Sequence, residues 1–538
     1  MARWDEEVDL VCVGSGIGGC ASAVAGAEAG LSVLLLEKSN RVGGTTAWSL
    51  GIVWAGNTGR SHADSADETL AYLNYLGGGR NNPEVTARFV AESPEALRFF
   101  ERAGVPFYLV EGLPDHYYPA GSGSKPGGRS FQTRPFKAQS LGDWQERLEF
   151  TPFGHGRITF EEMAAWGGRP GYRNWDRTIL AEREAEDVRT FGAGLAGHFF
   201  KSVLDRGVPV ELETPAQALL VEDHRVVGVE VRSDGETRSI RARKGVVLAT
   251  GQYSANRRLM GWFDEFNSWP PGGAPRNQGD GSIMALEHGA AFSVQHWNLT
   301  LMLGFHVPGE EADGQPLTHG AGSRELTYPH SILVNRRGRR FADESVFGDV
   351  AAKLRHFDAE THGLVNLPCY FVFDSQYFTK FGLPPLMPGA DPPNWLLAGE
   401  TISELAQRLD IDAAGLGATV DRFNDFCESG EDKDFQRGSV PWSRNVAGDL
   451  SRKNPNLGPI VQPPFFGLEL LPVNGNAVGL VTNANGQVIH LRGEPIPGLY
   501  ACGEVAAGLH YGVGYQAGLS LGGAMTFGWL AAKHAAAR

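Results

Sequence analysis

The sequence predicts an α/β protein in which a parallel sheet with a β-meander is interrupted by an inserted α+β domain. Three observations lead to this prediction. Short apolar strands run into glycine-rich turns near both ends of the chain, at 14–19 and 498–523. Three further strands joined by tight turns lie within 217–241. The stretch 297–465 instead mixes helix and strand patterns with proline-rich turns, which is typical of a separate domain.

The first element is a buried strand at 8–13, followed by the turn Gly14-Ser-Gly-Ile-Gly-Gly19 and an alanine-rich helix. A second buried strand ends at Glu37. In this pattern Gly14 permits the turn, Gly16 lets a pyrophosphate approach the backbone, and Gly19 lets the helix pack on the strand. The helix N-terminus then faces the phosphates, and the Glu37 carboxylate accepts hydrogen bonds from the adenosine ribose. Because that carboxylate would repel a 2′-phosphate, NADP is disfavoured.

Later blocks favour FAD as the dinucleotide. The stretch from Gly43 to Gly51 consists largely of small, hydrogen-bonding residues, which suit a backbone threaded along a flavin. The strands at 217–222, 226–232 and 237–241 form a β-meander that returns to the nucleotide sheet at the turn Ala249-Thr-Gly251. Such a return is typical of two-dinucleotide flavoprotein folds. The turn at 277–281, which opens a helix, allows another close approach.

The C-terminal block completes the predicted cofactor site. A strand from Gly498 ends at Gly503, with Glu504 placed for the ribityl hydroxyls. The last helix begins after Gly518, and its N-terminus would point at the flavin N1/C2=O edge, where negative charge builds on reduction. The residues predicted to bind FAD non-covalently are Gly14, Gly16, Gly19, Glu37, Lys38, Gly43, Gly44, Thr45, Thr46, Gly51, Ala249, Thr250, Gly251, Asp280, Gly503, Glu504, Ser520 and Leu521.

The predicted fold is therefore a Rossmann-like FAD-binding domain, with a parallel sheet and a β-meander, and an inserted α+β catalytic cap domain. The predicted boundaries are 1–296 for the first part of the FAD-binding domain, 297–465 for the cap and 466–538 for the C-terminal part. Trp269, Phe305, Trp395 and Leu397 offer apolar surface for a ligand, although aromatic residues in a cap are more often core.

Composition excludes several classes of protein. The net charge of −14 disfavours nucleic-acid binding, which depends on clustered Lys and Arg. The five cysteines show no CxxC spacing and indicate a reducing compartment. The N-terminus lacks the basic region of a secretory signal, and the apolar stretch after Val8 is cut by glycines short of a membrane-spanning length. We therefore expect a cytoplasmic protein with no integral membrane segment.

Taken together, these blocks resemble the superfamily of FAD enzymes that contains the fumarate reductases and the 3-ketosteroid dehydrogenases. The resemblance covers nearly the whole chain. Its motifs are the 14–19 turn with Glu37, the 43–51 stretch, the segment from Asn335 to Ser345, the segment 423–438, the Gly503-Glu504 turn and the last helix.

The resemblance to fumarate reductases fails at the residues that bind substrate. Their arginine proton donor is missing from 343–349, which reads Asp-Glu-Ser-Val-Phe-Gly-Asp. Their C-terminal His-Gly-x-Asn-Arg run is replaced here by 510–518, which has a histidine but no arginine. A site for two carboxylates is hard to build without these guanidinium groups. Fumarate reduction is therefore the weaker alternative.

The ketosteroid dehydrogenases fit better. In that family a base takes the α-proton next to a ketone while the β-hydride goes to flavin N5. A tyrosine hydroxyl and a glycine N–H polarise the ketone oxygen. Tyr515 and Gly518 lie in the corresponding turn. The Tyr515–Gly522 spacing looks more like the Δ4 branch, since the Tyr-Pro-Gly-x-Gly pattern of the Δ1 branch is absent. Both branches would place Tyr515 or its neighbourhood at the ketone.

The base is less well defined. The run from Pro114 to Tyr118 resembles the segment that supplies an active-site tyrosine in the Δ1 enzymes, which makes Tyr117 and Tyr118 the predicted catalytic tyrosines. The second family tyrosine is replaced by Phe347 or Gly348, and phenylalanine cannot carry a proton. The other candidates for the base are His116, His510 and Tyr511.

The predicted function is FAD-dependent α,β-desaturation of a small apolar cyclic ketone, in the first place a 3-ketosteroid. Electrons would pass to a quinone or a similar external acceptor, because no NAD site is visible. Desaturation of a smaller cyclohexanone-type ketone, a fumarate-reductase-like ene-reductase and a simple electron-carrying flavoprotein are the alternatives.

Overall fold

The computed structural model of the protein describes residues 4–60, 63–151, 156–168, 171–266, 274–294, 302–320, 325–473 and 478–538. The strands are β1 (Glu6–Val13), β2 (Val33–Leu36), β3 (Val53–Trp54), β4 (Phe107–Leu109), β5 (Ser130–Thr133), β6 (Phe136–Lys137), β7 (Val188–Arg189), β8 (Val210–Glu211), β9 (Ala216–Glu222), β10 (Arg225–Ser233), β11 (Glu236–Leu248), β12 (Phe292–Ser293), β13 (Met302–Ala312), β14 (Gln315–Gly320), β15 (Ser331–Asn335), β16 (Phe357–Asp358), β17 (Gly363–Leu364), β18 (Cys369–Asp374), β19 (Leu397–Gly399), β20 (Phe465–Val473), β21 (Gly479–Leu480), β22 (Gln487–Ile489) and β23 (Pro495–Ala501). The helices are α1 (Ile17–Glu28), α2 (Gly44–Trp48), α3 (Ala66–Gly77), α4 (Pro83–Arg102), α5 (Phe160–Ala165), α6 (Arg177–Ala185), α7 (Phe191–Asp205), α8 (Arg257–Phe263), α9 (Asp280–Leu286), α10 (Phe347–Lys353), α11 (Ser375–Phe381), α12 (Ile402–Leu409), α13 (Ala413–Ser429), α14 (Pro441–Ala447) and α15 (Leu519–Ala536).

The central sheet has the order β22-β23-β11-β1-β2-β8. Strands β8, β2, β1, β11 and β23 run parallel to their neighbours, and β22 joins the edge in antiparallel orientation. Strand β2 is buried along its whole length, as expected for the interior of a parallel sheet. The parallel sheet predicted from the apolar runs is confirmed.

The β-meander is confirmed, with one difference in its last strand. Strands β9, β10 and β11 are antiparallel neighbours. The sequence suggested a short strand at 237–241 and a separate apolar segment from 245. In the structure both belong to β11, which pairs in parallel with β1 from Ile240 to Leu248. Its other edge pairs with β10 as far as Arg241 and with β23 from Val246. The β1–β11 register shifts between Val8 and Leu10, where the other edge of β11 passes from β10 to β23.

Helix α15 is buried against α1 on one face of the central sheet. The close approach depends on small residues, because a β-carbon on Gly528 would lie 2.6 Å from the carbonyl oxygen of Gly18. Residues of α4 and α7, including Phe89 and Phe199, extend the same core. Among the described helices, none is long and apolar enough to cross a membrane.

The cap contains an antiparallel sheet of order β14-β13-β20-β18-β15, with β19 paired to β20. The predicted boundary between 296 and 297 lies outside the described residues. The predicted boundary at 465 coincides with the start of β20, and β20 pairs with β13, β18 and β19. In the structure the cap sheet therefore continues to Val473, beyond the predicted end of the cap.

The 335–345 segment has a structural role in the cap. The Arg340 guanidinium donates to Glu344 at 2.6 Å and to Asp432 at 2.8 Å, and all three side chains are buried. Arg437 lies 3.4 Å from the same Glu344 carboxylate and donates to backbone oxygens. Burying charge requires such pairing, so this cluster explains why the segment has its particular residue types.

Candidate active site

A cavity of about 620 Å³ lies between the central sheet and the cap. Its long side is formed by the turns at the carboxyl ends of β1, β2 and β11, which is where ligands bind in open α/β sheets. The N-terminal turn of α15 closes one end. The cap side is contributed by Met302, His319, Gly320, Glu325, Pro384, Pro385 and Met387. Met163 and Trp175 from the segment before α7, and Phe191 at the start of α7, also line the cavity.

The glycine turn after β1 has the geometry that its spacing predicts. Gly14 adopts a φ of +104°, and a β-carbon there would lie 2.4 Å from the Ala249 carbonyl oxygen. A β-carbon on Gly19 would lie 1.7 Å from the carbonyl oxygen of Gly14. Gly16 differs, since the nearest atom to its β-carbon position is the Thr46 Oγ1 at 3.5 Å. Gly14 and Gly19 therefore serve packing, whereas Gly16 leaves room for a phosphate at the start of α1.

Glu37 lies at the adenosine end of the cavity. Its carboxylate accepts from the Ser15 N–H at 3.0 Å, from the Ser15 hydroxyl at 2.6 Å and from the Ser39 N–H at 2.9 Å. These donors hold the carboxylate at the end of β2, where ribose hydroxyls can reach it. The neighbouring Lys38 ammonium pairs with Asp280 at the start of α9.

The opposite end of the cavity carries an acid and a helix N-terminus. Glu504 is half-buried and lines the cavity, and desolvation raises its pKa to about 7. Gly518, with a φ of +92°, precedes α15, and a β-carbon there would meet Ile52 at 2.8 Å and the Trp54 nitrogen at 2.9 Å. Its carbonyl oxygen accepts the Trp54 N–H at 3.1 Å. Ser520 and Leu521 in the first turn of α15 also line the cavity.

Most of the residues predicted to bind FAD therefore come together. All of them except Gly19 and Gly43 line the cavity. Gly19 packs against Gly14 as described, and Gly43 supports the site indirectly because its N–H donates to the Ser15 hydroxyl at 3.1 Å. The open approach at Gly16 and the half-buried acids Glu37 and Glu504 fit a dinucleotide with its phosphates at α1.

Tyr515 and Gly518, the two residues predicted to bind the ketone, both line the cavity. The Tyr515 ring lies 4.9 Å from the ring of Phe347 in α10, so the cap contacts it directly. The His116 ring also lies 4.9 Å from the Tyr515 ring. The Gly518 N–H has no hydrogen-bond partner among the residues that the structure describes.

The two predicted catalytic tyrosines lie elsewhere, outside the described lining of the cavity. The Tyr117 ring packs edge-on against Tyr75 of α3 at 5.8 Å. Burial raises the pKa of Tyr117 to about 12, and its hydroxyl lies beside the backbone of Tyr515. Tyr118 follows in the same loop. The Tyr117 ring therefore contacts α3, while its hydroxyl faces the turn that carries Tyr515, and the catalytic role of Tyr117 and Tyr118 stays a prediction.

The remaining candidates for the base differ in their position relative to the cavity. His116 is half-buried, its ring packs at a tilt against Trp442 with centroids 4.2 Å apart, and desolvation lowers its pKa to about 3. His510 packs on Phe89 at 4.7 Å, and burial lowers its pKa to about 4. Neither histidine lines the cavity, as far as the described residues show. Tyr511 does, and its pKa is raised by burial and by the nearby Glu504 and Tyr515.

The structure adds site residues that sequence reasoning missed. Gln516 lines the cavity and accepts the Tyr72 hydroxyl at 2.6 Å and the His116 N–H at 2.9 Å. Arg276 and Glu149 line the adenosine end and bond to each other at 2.7 Å. Arg276 directly precedes the 277–281 turn, so that turn was the available signal. The partners lie more than 100 positions apart, and no local pattern connects them.

The cap aromatics behave mainly as core. Phe305 and Trp395 pack together, with ring centroids 6.0 Å apart, inside the cap cluster. Leu397 is partly exposed, and Trp269 lies outside the described residues. Among the described lysine and arginine residues, the cavity is lined only by Lys38 and Arg276, and both pair with acids at the adenosine end. This arrangement offers no guanidinium pair for a dicarboxylate.

Fold and site together define a flavoprotein of the FAD-dependent oxidoreductase class, with its cofactor cleft covered by a cap. The chain belongs to the sequence family described as an FAD binding domain, which matches residues 9–521. The cofactor is therefore FAD, as predicted.

Full-length relatives narrow the family further. The chain is 33% identical over 573 residues to a 3-oxosteroid 1-dehydrogenase of Mycobacterium tuberculosis, covering 99% of this chain and 98% of the relative. It is also 33% identical over 545 residues to a 4-oxocyclohexanecarboxylate 2-dehydrogenase of Sinomonas cyclohexanicum, covering 98% and 92%. A solved structure of 3-ketosteroid delta1-dehydrogenase from Sterolibacterium denitrificans, in complex with 1,4-androstadiene-3,17-dione, matches with a TM-score of 0.90 at 30% identity, covering 99% and 100%. The predicted superfamily is confirmed.

Proposed function

We propose that the protein is an FAD-dependent desaturase that removes vicinal hydrogens next to the ketone of a cyclic 3-keto compound, with a 3-ketosteroid as the preferred substrate. The observation that carries the proposal is the position of Tyr515 and Gly518, which line one cavity at the N-terminal turn of α15. Bound FAD supplies the hydride acceptor. The relatives named as ketone dehydrogenases over nearly the full chain support the same reaction type.

The ketone oxygen would accept the Tyr515 hydroxyl and the Gly518 N–H. Both donors are strongest where enolate character builds, so they lower the barrier to loss of the α-proton. The Gly518 N–H suits this role because no described residue occupies it. The α15 N-terminus adds a positive dipole end beside the same turn.

The proton acceptor proposed from position is Tyr511. Of the tyrosine and histidine candidates, it lines the cavity beside Tyr515, whereas Tyr117, His116 and His510 pack in the surrounding structure. Burial and its neighbours Glu504 and Tyr515 raise the pKa of Tyr511, so its phenol carries a proton. Tyr511 would therefore accept the α-proton while passing its own proton to the Glu504 carboxylate, whose pKa of about 7 suits this transfer. Tyr117 and Tyr118 stay predictions as catalytic residues.

The steroid is favoured over a keto acid by charge. A cyclohexane carboxylate must bring a negative charge into the cavity, and burying it requires a cationic partner. The described lysine and arginine side chains at the cavity, Lys38 and Arg276, are already paired with acids at the adenosine end. A smaller cyclic ketone is the second candidate, because the Sinomonas relative is as similar as the mycobacterial one. We further propose an external quinone-type electron acceptor and a cytoplasmic location.

Anaerobic single-turnover assays test this function. The purified holoenzyme would be mixed with a saturated 3-ketosteroid, a cyclohexanone, 4-oxocyclohexanecarboxylate and succinate, and flavin absorbance would be followed. We expect the steroid to bleach the flavin faster than the other compounds. Bleaching by 4-oxocyclohexanecarboxylate alone would replace the steroid by the smaller ketone. Bleaching by succinate alone, or reoxidation of reduced enzyme by fumarate alone, would overturn the desaturase proposal.

A further inference from the structure

The β13–β14 hairpin runs from the cap sheet along the cofactor cavity. Its base lines the cavity through Met302, His319 and Gly320. Its tip is the turn at Asp313 and Gly314, where both residues have positive φ, the backbone of a tight hairpin turn. Strand β13 has 11 residues, which at about 3.3 Å per residue makes the hairpin roughly 35 Å long. Strand β14 forms the edge of the cap sheet.

The tip reaches the adenosine end of the cavity through Arg276. The Arg276 Nε donates to the Asp313 carboxylate at 2.6 Å. The other guanidinium nitrogens donate to the Ser39 hydroxyl and to the Glu149 carboxylate, each at 2.7 Å. The Ser39 N–H in turn donates to Glu37. One guanidinium therefore joins the hairpin tip to the segment that carries the predicted ribose acceptor.

The partners of Arg276 differ in exposure. Glu149 is buried, with 8% of its side chain exposed, and Arg276 and Glu149 both line the cavity. Asp313 is 51% exposed and does not line the cavity. Arg276 is thus anchored on the cofactor side by a buried acid, while Asp313 attaches the hairpin to it from outside. The contact between Asp313 and Arg276 can be removed without changing any group that faces the cofactor.

We propose that the Arg276–Asp313 ion pair is a clamp that holds the β13–β14 hairpin over the adenosine end of the cleft and slows the release of FAD. The clamp concerns retention of the cofactor, so it holds whichever ketone the enzyme oxidises. A half-exposed ion pair contributes modestly and is screened by salt.

The test compares the FAD dissociation rates of three forms of the holoenzyme, followed by the fluorescence of released flavin after dilution. Asp313→Asn removes the ion pair and keeps a residue that tolerates positive φ. Asp234→Asn is the matched control, because Asp234 also has a φ near +50° and also precedes a glycine at a hairpin tip, on the β10–β11 turn. We expect Asp313→Asn to release FAD about two- to fivefold faster at low salt, with the control unchanged.

Two further readouts isolate the mechanism. High salt should speed FAD release more in the wild type and the control than in Asp313→Asn, because that variant lacks the Arg276–Asp313 ion pair that salt would screen. Amide hydrogen exchange in β13 and β14 should be faster in Asp313→Asn. Equal dissociation rates for Asp313→Asn and wild type would overturn the clamp. Faster release without faster exchange in the hairpin would also overturn it, since closure by the hairpin would then not be the cause.

Discussion

The Tyr72 hydroxyl in α3 donates a 2.6 Å hydrogen bond to the side-chain oxygen of Gln516, 444 positions later in the chain. The same oxygen accepts the His116 backbone N–H at 2.9 Å. Gln516 lies between Tyr515 and Gly518, the two proposed ketone-binding groups. Helix α3 and the loop that carries His116 therefore hold the turn in which both groups lie.

Replacing this support should weaken catalysis without loss of cofactor. Tyr72→Phe removes one buried hydrogen bond, worth about 1 kcal/mol, and loosens the turn. We expect kcat/KM for a saturated 3-ketosteroid to fall about fivefold while FAD retention stays at the wild-type level. Tyr500→Phe is the control. The Tyr500 hydroxyl makes a 2.8 Å hydrogen bond to His534, and neither residue lines the cavity. If both variants lose the same activity, the loss reflects general stability and not the turn.

Tyr511 and Tyr515 should have separable roles. Tyr515→Phe removes a donor to the developing enolate, and we expect flavin reduction to slow about 10²- to 10³-fold. Tyr511→Phe removes the proposed proton acceptor, so flavin reduction should slow and the isotope effect with α-deuterated substrate should rise. Single-turnover flavin bleaching measures both. If flavin reduction in Tyr511→Phe is as fast as in the wild type, Tyr117 or Tyr118 becomes the candidate for the base.

Substitutions at two glycines of the 14–19 turn should have different effects, one on FAD binding and the other on folding stability. A β-carbon on Gly16 makes only ordinary contact, with Thr46 Oγ1 at 3.5 Å, but lies where the pyrophosphate approaches. We expect Gly16→Ala to keep the melting temperature of the apoprotein and to raise the Kd for FAD at least about tenfold. Gly19→Ala would collide with the Gly14 carbonyl oxygen and should lower the stability of the apoprotein by about 3 kcal/mol. An unchanged Kd in Gly16→Ala would contradict this division.

Glu504 should make the apoprotein less stable as the pH rises. Burial raises its pKa from an ordinary value of 4.5 to about 7, so the folded state binds the proton more tightly than the unfolded state. The stability associated with this group is therefore full below pH 4.5 and is lost between pH 4.5 and about 7. Glu504→Gln should remove this loss and stabilise the apoprotein at pH 8 by up to about 3 kcal/mol, relative to its effect at pH 4.5. Denaturant unfolding at both pH values measures it, and an equal effect at the two values would refute the assignment.

The FAD-binding residues could be predicted because each depends on nearby chain. Gly14, Gly16 and Gly19 are needed within one turn, and Glu37 follows at the end of the next strand. The meander and the parallel sheet follow from short apolar runs and turn residues. The course of β11 was missed, because its change of partner from β10 to β23 depends on a strand more than 200 positions away.

The base could not be assigned from nearby chain in the same way. Tyr117 and Tyr118 were chosen from a local resemblance, and their catalytic role stays a prediction; the structure packs the Tyr117 ring on Tyr75. Arg276 and Gln516 were not predicted, because their partners are distant in the sequence. Glu149 lies 127 positions from Arg276, and Tyr72 lies 444 positions from Gln516.

The sequence by itself determined the cofactor, the class of fold and the turn that carries Tyr515 and Gly518. Those features rest on backbone geometry that only certain residues allow, such as the positive φ of Gly14 and Gly518. The tertiary structure decided which ionisable side chains face the cavity and which are enclosed. That choice depends on how distant segments pack, since burial and neighbouring charges set both the position and the pKa of groups such as Tyr511 and His510.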